Sequence, residues 1–299
     1  MRAAERGFLL LSSCLGDPER KPLTTAQLRV LADRSWRMQT PVGDRELNTG
    51  DLTALGYGRE MAERILFLLS QEDVLDHYLR KGSRAGCLPL TRVSDAYPLQ
   101  LRKRLGLESP GVLWAKGDIS ILNGPKIALV GSRELQPDNS DFAEMAGREA
   151  AIQGYILVSG NARGADRTAQ NACLAAGGRV ISIVADELAK QPDREGVLYL
   201  SEEDFDAAFS AQRALSRNRV IHALGEKTLV AQCSYQTGGT WDGTVKNLRF
   251  GWSPVFCFRD ESPAMKQLIQ MGAGAVDARQ LCDLNGLCSE IPDLFTDEI

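Results

Sequence analysis

Two short apolar runs flanking an amphipathic stretch, between Lys126 and Asp166, constrain this chain more than anything else in it. Ile127 to Val130 reads as a buried strand that stops at Gly131, Ser132 and Arg133. Phe142, Met145, Ala146, Glu149 and Ala150 then follow at helical spacing. A second apolar run, Tyr155 to Val158, ends in Ser159 and Gly160 and leads through Arg163 and Gly164 to Asp166. In a parallel sheet, strand ends feed helix N-termini along one edge, and ligands bind there. Free N–H groups and the helix dipole make that edge attract anions, so phosphate is the expected ligand chemistry.

The same alternation continues downstream. Strands are expected at 127–131, 155–159, 179–184, 196–200, 227–232, 254–258 and 274–277, and helices at 139–153, 164–176, 203–224, 238–249 and 262–271. This pattern predicts an α/β fold, doubly wound around a mostly parallel sheet. Ahead of it, Val112 to Ala115 fits a short strand among the turn signals of 79–125. Residues 1–78 read as small helices: Phe8 to Leu11 opens one, and Thr24 or Thr25 caps the next. Ala54-Leu55-Gly56-Tyr57-Gly58 has the form of a helix-hairpin-helix turn. Its glycines either aim N–H groups at a phosphate or merely pack two helices, and the motif alone does not choose. The expected division is a helical helix-hairpin-helix (SAM-like) domain over 1–82, an α/β domain over 83–285 and an acidic tail over 286–299.

Seven cysteines (14, 87, 173, 233, 257, 282 and 288) contain no CxxC pair. Cys173, Cys233 and Cys257 fall inside expected helices or strands, where reduced cysteine is a small core residue. A cytoplasmic protein without disulfides, metal or cofactor is expected, and no apolar run approaches the ~20 residues of a membrane helix. The net charge of −4 does not advertise a nucleic-acid binder. Residues 1–133 hold 20 Lys/Arg against 15 Asp/Glu, and the remainder 15 against 24. A nucleic-acid site must therefore be a local basic pocket rather than a basic face.

Four stretches supply candidates for such a pocket. Ser132 and Arg133 offer a hydroxyl and a guanidinium at a strand end, where both can donate to phosphate oxygens; the competing role for Arg133 is an ion pair with Glu134. In Ser159-Gly160-Asn161-Ala162-Arg163-Gly164-Ala165-Asp166 the glycines admit close backbone approach, Arg163 adds charge, and Asp166 opens the next helix. Thr237-Gly238-Gly239-Thr240, after the strand at 227–232, makes an anion-binding turn before a helix. Ala214 to Leu224 carries Arg217, Asn218 and Arg219 on a helix whose apolar face is Leu215, Val220, Ile221 and Leu224. Trp241 and Tyr235 are either base-stacking or core aromatics. His222 receives no role.

GSR after a strand, then SG-x-A-R-G-x-D some 26 residues later, resembles the DNA-processing protein A (DprA, also called Smf) family. The lead-in Tyr97-Pro98 and Val112 to Gly117, the block Arg217-Asn218-Arg219 with Ile221 and Leu224, and Leu268-Ile269 with Gly272-Ala273 match the family in order, so the resemblance covers about 90–285. It departs in three places. TGGT stands for the usual serine-glycine-serine loop, Arg259-Asp260 replaces a Pro-Gly, and Asp186-Glu187 makes one rim acidic. Many family members end in a winged helix, for which this chain leaves no room.

The resemblance implies a Rossmann-like domain gripping single-stranded DNA in a pocket of Arg133, Arg163, Arg217 and Arg219, with Gly131, Ser132, Ser159, Gly160, Gly164, Asp166, Asn218 and Thr237 to Thr240 around it. It further implies protection of incoming single strands, a homodimer formed through that domain, and help in loading the recombinase RecA during natural transformation. No catalytic acid–base pair, nucleophile with a nearby His or metal cluster is visible in the sequence, which reads as a non-enzyme. The alternatives are a small-nucleotide-binding module and a nucleoside-monophosphate phosphoribohydrolase. Against the latter, the catalytic glutamate of a PGGxGTxxE loop is missing after Gly238-Gly239-Thr240, where Val245, Lys246 and Asn247 stand. A dinucleotide dehydrogenase is disfavoured, because GxGxxG is absent after the first strand.

Overall fold

The structure, a computed structural model, describes residues 1–36 and 47–288; most of the expected acidic tail lies outside the described residues. The chain begins with helices α1 (Ala3–Ser12), α2 (Thr25–Trp36), α3 (Thr49–Ala54), α4 (Arg59–Leu69) and α5 (Glu72–Arg84). Thr24 is the cap of α2: its hydroxyl accepts from Gln27 N–H at 3.3 Å, while the Gln27 side chain accepts from Thr24 N–H at 2.9 Å. There follow β1 (Cys87–Thr91), α6 (Leu99–Leu105), β2 (Val112–Lys116), β3 (Lys126–Val130), α7 (Pro137–Ile152), β4 (Ile156–Ser159), α8 (Ala165–Ala175), β5 (Arg179–Ile183) and β6 (Val197–Ser201). The last third holds α9 (Ala211–Ser216), α10 (Asn218–Leu224), β7 (Lys227–Val230), α11 (Gly238–Phe250), β8 (Val255–Phe258), α12 (Pro263–Gln270) and β9 (Gly274–Val276).

The strands form one sheet in the order β1-β2-β6-β5-β4-β3-β7-β8-β9. From β6 to β9 every neighbouring pair is parallel, and β1 and β2 add an antiparallel edge. The fold is therefore α/β with a mostly parallel sheet, as the alternation of apolar runs predicts. Successive residues of β3 serve opposite faces: Ile127 and Leu129 join the core under α7 and α8, Ala128 and Val130 the core under α10 and α12. Burial on both faces explains why these strands are continuous apolar runs rather than alternating ones. Fully burying one such side chain stabilises by roughly 1.5–3 kcal/mol. Helices α7 and α8 approach so closely at Gly147 that an added Cβ would lie 2.0 Å from the Ala169 carbonyl oxygen.

Strand β1, helix α6 and the stretch 203–224 depart from expectation. Strand β1 is unanticipated because Pro89 stands in its middle; a proline survives there because β1 is an edge strand, paired only with β2. The single helix expected over 203–224 is instead an irregular segment followed by α9 and α10. Phe205 is buried in the core of one sheet face, whereas Val220, Ile221 and Leu224 are buried in the other, so no straight helix can carry both sets. Ser210 then caps α9, accepting from Arg213 N–H at 3.1 Å.

The N-terminal helices have their own small core of Leu11, Leu23, Leu52, Ala62, Ile65 and Leu68. Leu9, Leu10, Leu75 and Tyr78 belong instead to the core of the sheet. There Tyr78 and Phe205 rings each lie within 5.6 Å of Trp114, centroid to centroid. Among the described residues no helix is long and apolar enough to cross a membrane.

Candidate functional site

From β3 onward, chain direction across the sheet reverses once. The chain builds outward from β3 through β4, β5 and β6, then returns to place β7 on the other flank of β3. The loops leaving β3 and β7 must diverge there, and such a switch point opens a crevice at the carboxyl ends of the strands. A cleft of about 780 Å³ occupies that position. Its wall is built from the loops after β3 and β7, the start of α8, the segment before α9, and the N-terminal ends of α10 and α11.

Glycines and one glutamine set its shape. Gly164, the residue before α8, has φ +81°, and a Cβ there would meet the Ser132 and Arg133 carbonyl oxygens at 2.4 and 2.5 Å. A Cβ on Gly131 would stand 2.4 Å from that of Ala165. These close approaches let Ala165 N–H donate to the Ser132 carbonyl at 3.1 Å, which fixes the start of α8 beneath the β3 loop. Gln232 braces the same loop from the other side. Its carbonyl accepts from Ser132 N–H at 2.9 Å, its side-chain oxygen from Gln136 N–H at 2.8 Å, and its amide donates to the Glu134 carbonyl at 3.2 Å. Thr240 closes the ring, donating its hydroxyl proton to the Gly131 carbonyl at 3.0 Å.

The charged groups sit at three depths. Arg133 lines the cleft, is exposed, and makes no ion pair among the described residues. Glu134 instead pairs with Arg163 across the rim at 3.1 Å, with both side chains largely in solvent. Deeper, Arg217 is buried between α9 and α10 and donates to the Ile183 carbonyl at the end of β5. Asp166 lies beside it, with the Gly160 backbone wedged close: a Cβ on Gly160 would be 2.5 Å from the carboxylate and 2.6 Å from the guanidinium. Burial pushes the Asp166 carboxyl up to about 6, against the opposing pull of Arg217 and of the Ala162 and Gly160 amides. Burial likewise lowers the Arg217 guanidinium, with Asp166 and Asp186 opposing. The Arg217 Nε has no partner among the described residues.

Most of the candidates therefore converge: Gly131, Ser132, Arg133, Asp166, Arg217, Asn218, Thr237, Gly238, Gly239 and Thr240 line one cleft. Asn218 also ties α10 to α11, donating to the Gly239 carbonyl at 2.8 Å. Gly160 and Gly164 support the cleft from behind, and Arg163 stands on the rim. Two candidates lie elsewhere. Ser159 is fully buried, accepting from the Gln170 side chain at 2.7 Å. Arg219 turns away to pair with Glu202 at 2.7 Å and lines a neighbouring cleft. Tyr235 is exposed and meets Trp241 edge to face at 5.3 Å, while Trp241 itself packs against the core. His222 is fully buried, its pKa pushed down to about 3 by burial, and accepts at Nδ1 from the Asn247 amide at 3.0 Å.

The sequence reading missed Phe209, which lines the cleft while 58% exposed. It was hidden inside the stretch expected as one helix, and the Ser210 cap immediately after it was the available signal. Among the described residues no group of three or more His, Cys, Asp or Glu side chains is placed to hold a metal ion.

Comparison with known proteins places this architecture in company. The model of the DNA recombination-mediator protein A family matches residues 89–284. The DNA processing protein DprA of Bacillus subtilis (strain 168) is 30% identical over 217 residues, 68% of this chain and 71% of that one. Its namesake from Streptococcus pneumoniae (strain ATCC BAA-255 / R6) is 27% identical over 210 residues, 65% and 70% of the two chains. Among solved structures, DNA processing protein A from Streptococcus pneumoniae superposes with a TM-score of 0.68 at 24% identity, covering 89% of this chain and 94% of that one. DNA processing protein A from Helicobacter pylori, solved for its single-stranded DNA binding mode, gives a TM-score of 0.55 at 22% identity over 66% and 94% of the chains.

Proposed function

The chain belongs to the DNA recombination-mediator protein A family, and from that premise we propose that its cleft grips the backbone of single-stranded DNA. The observation that carries this reading is Arg133: an exposed guanidinium without an ion pair among the described residues, beside the Ser132 hydroxyl, over a crevice at the switch point of the sheet. A guanidinium left unmatched in the protein is matched by a phosphate in the complex. Arg217 adds a second positive charge at the floor, and Phe209 offers a ring on which a base can stack. A relative from Helicobacter pylori is named for binding single-stranded DNA, which supports the same assignment.

The protein on this reading is a DNA-processing binder rather than an enzyme. Its finer roles follow from the family: it shields incoming single strands, forms a homodimer through its Rossmann-like domain, and assists RecA loading in natural transformation, all in the cytoplasm. The functional unit is the α/β domain over 83–285, preceded by the helical domain over 1–82. Gly131 to Arg133, Gly160, Arg163, Gly164, Asp166, Arg217, Asn218 and Thr237 to Thr240 build or line the DNA site, with Ser159 and Arg219 outside it.

Fluorescence anisotropy with a labelled oligothymidylate, a matched duplex and nucleoside monophosphates as competitors tests the assignment. Salt-sensitive preference for the single strand, unmoved by mononucleotides, is the expected result. Turnover or displacement by a mononucleotide, with no binding of either DNA, would replace it with a small-nucleotide function.

A further inference from the structure

A second cleft, of about 860 Å³, adjoins the first. Leu215 lines both, and α11 runs from one to the other: Gly238 to Thr240 face the first, Lys246, Arg249 and Phe250 the second. At 1.5 Å per helical residue, Phe250 stands about 16 Å along α11 from Gly239, a distance of a few nucleotides. The second cleft has a mixed lining in which two apolar side chains stand out in solvent, Leu215 at 49% and Phe250 at 56% exposure. Phe250 is backed by Trp252, the rings nearly parallel at 17° with centroids 5.7 Å apart. The Arg249 guanidinium lies 5.4 Å from the Phe250 ring.

Four of its seven charged side chains are paired: Glu202 with Arg219 at 2.7 Å and Asp242 with Lys246 at 2.9 Å. That leaves exposed Arg249 against exposed Glu108 and Glu203, none of the three in an ion pair among the described residues. A cleft with no surplus of positive charge but with an exposed ring does not suit a phosphate grip. It suits a base.

We propose that a nucleobase of the same single strand, leaving the first cleft over Leu215, stacks on Phe250. This rests on the reading of the first cleft as the backbone-binding site, and adds to it a stacking site without surplus positive charge, fed by the strand's continuation. Stacking needs no phosphate contact, so it changes affinity without changing the salt slope.

The test compares wild type with Phe250→Ala and Phe250→Trp, using oligothymidylates of about five and about twenty nucleotides at several salt concentrations. Phe250 is exposed, so the variants are expected to keep the wild-type circular dichroism spectrum and melting temperature within a few degrees. The expected result is a loss of about fivefold or more for Phe250→Ala on the long oligomer only. The salt slope stays unchanged, and Phe250→Trp keeps wild-type affinity. Equal affinity of wild type and Phe250→Ala for the long oligomer would overturn the proposal, as would an equal loss on the short one. If wild type binds neither oligomer, the backbone reading of the first cleft fails, and this inference falls with it.

Discussion

Two regions carry glycines next to cationic side chains, and they use them differently. In the hairpin between α3 and α4 the turn groups are consumed internally. Gly56 N–H donates to Thr53, Tyr57 N–H donates to Leu52, and the Gly56 carbonyl accepts from Arg34 at 3.0 Å. The same Arg34 lies over the Tyr57 ring at 4.4 Å. In the cleft at the switch point, glycines instead admit close backbone approach so that α8 tucks under the β3 loop, and Arg133, which feels Asp166 only at a distance, makes no ion pair among the described residues. Glycine beside arginine is thus not by itself a phosphate site. What separates the two regions is whether the charge is already spent inside the protein.

The largest expected effect contrasts the two glycines directly. Gly164→Ala forces a Cβ into the Ser132 and Arg133 carbonyls at a backbone conformation reserved for glycine. It should cost about 4 kcal/mol in urea unfolding and abolish DNA binding. Gly56→Ala meets only the end of Arg34, at 3.8 Å, so about 1 kcal/mol of backbone strain is expected. Equal losses at the two positions would break the comparison.

A smaller effect sharpens the electrostatic side of the contrast. The Asp166 carboxyl is held at about 6 in the folded protein against 3.8 ordinarily. The folded state therefore holds that proton more tightly than the unfolded chain. Its stabilising contribution is fully present below about pH 4 and is lost as pH rises through 6, a change of roughly 2–3 kcal/mol. Unfolding free energies of wild type and Asp166→Asn, measured from pH 4 to 7, should show wild type losing stability relative to the variant over that window. Parallel curves would mean that Asp166 titrates normally.

The smallest effect belongs to the hairpin. Arg34→Ala should lower stability by about 0.5–1 kcal/mol through the lost contact with Tyr57, while single-strand affinity stays within about twofold of wild type. A tenfold loss of affinity would make the hairpin a second DNA contact.

The sequence made the parallel strands readable because both faces of the sheet are covered, and each strand is then an uninterrupted apolar run ending in small residues. Pro89 concealed β1, since its edge position is a fact of pairing and not of composition. Periodicity also failed over 203–224. It registers that Phe205 and Val220 are both buried, but not that they are buried on opposite faces of the sheet. Arg217 and Arg219 looked equivalent as neighbours in one block, yet two residues turn a helix by about 200°, so one points to the cleft floor and the other to Glu202. Gln232 carries no signal in the sequence: its bonds to Gln136 and Glu134 join segments almost a hundred residues apart, which no local pattern reveals.

The claim that Arg133 is the cleft's open charge is tested most directly by the salt dependence of Arg133→Ala. Log affinity for a short oligothymidylate would be plotted against log salt for wild type and variant. Removing one phosphate contact should weaken binding about tenfold and flatten the slope by about 0.7, with the melting temperature unchanged. A folded variant with wild-type affinity and slope would show that DNA does not meet this arginine, and the account of the cleft would be wrong.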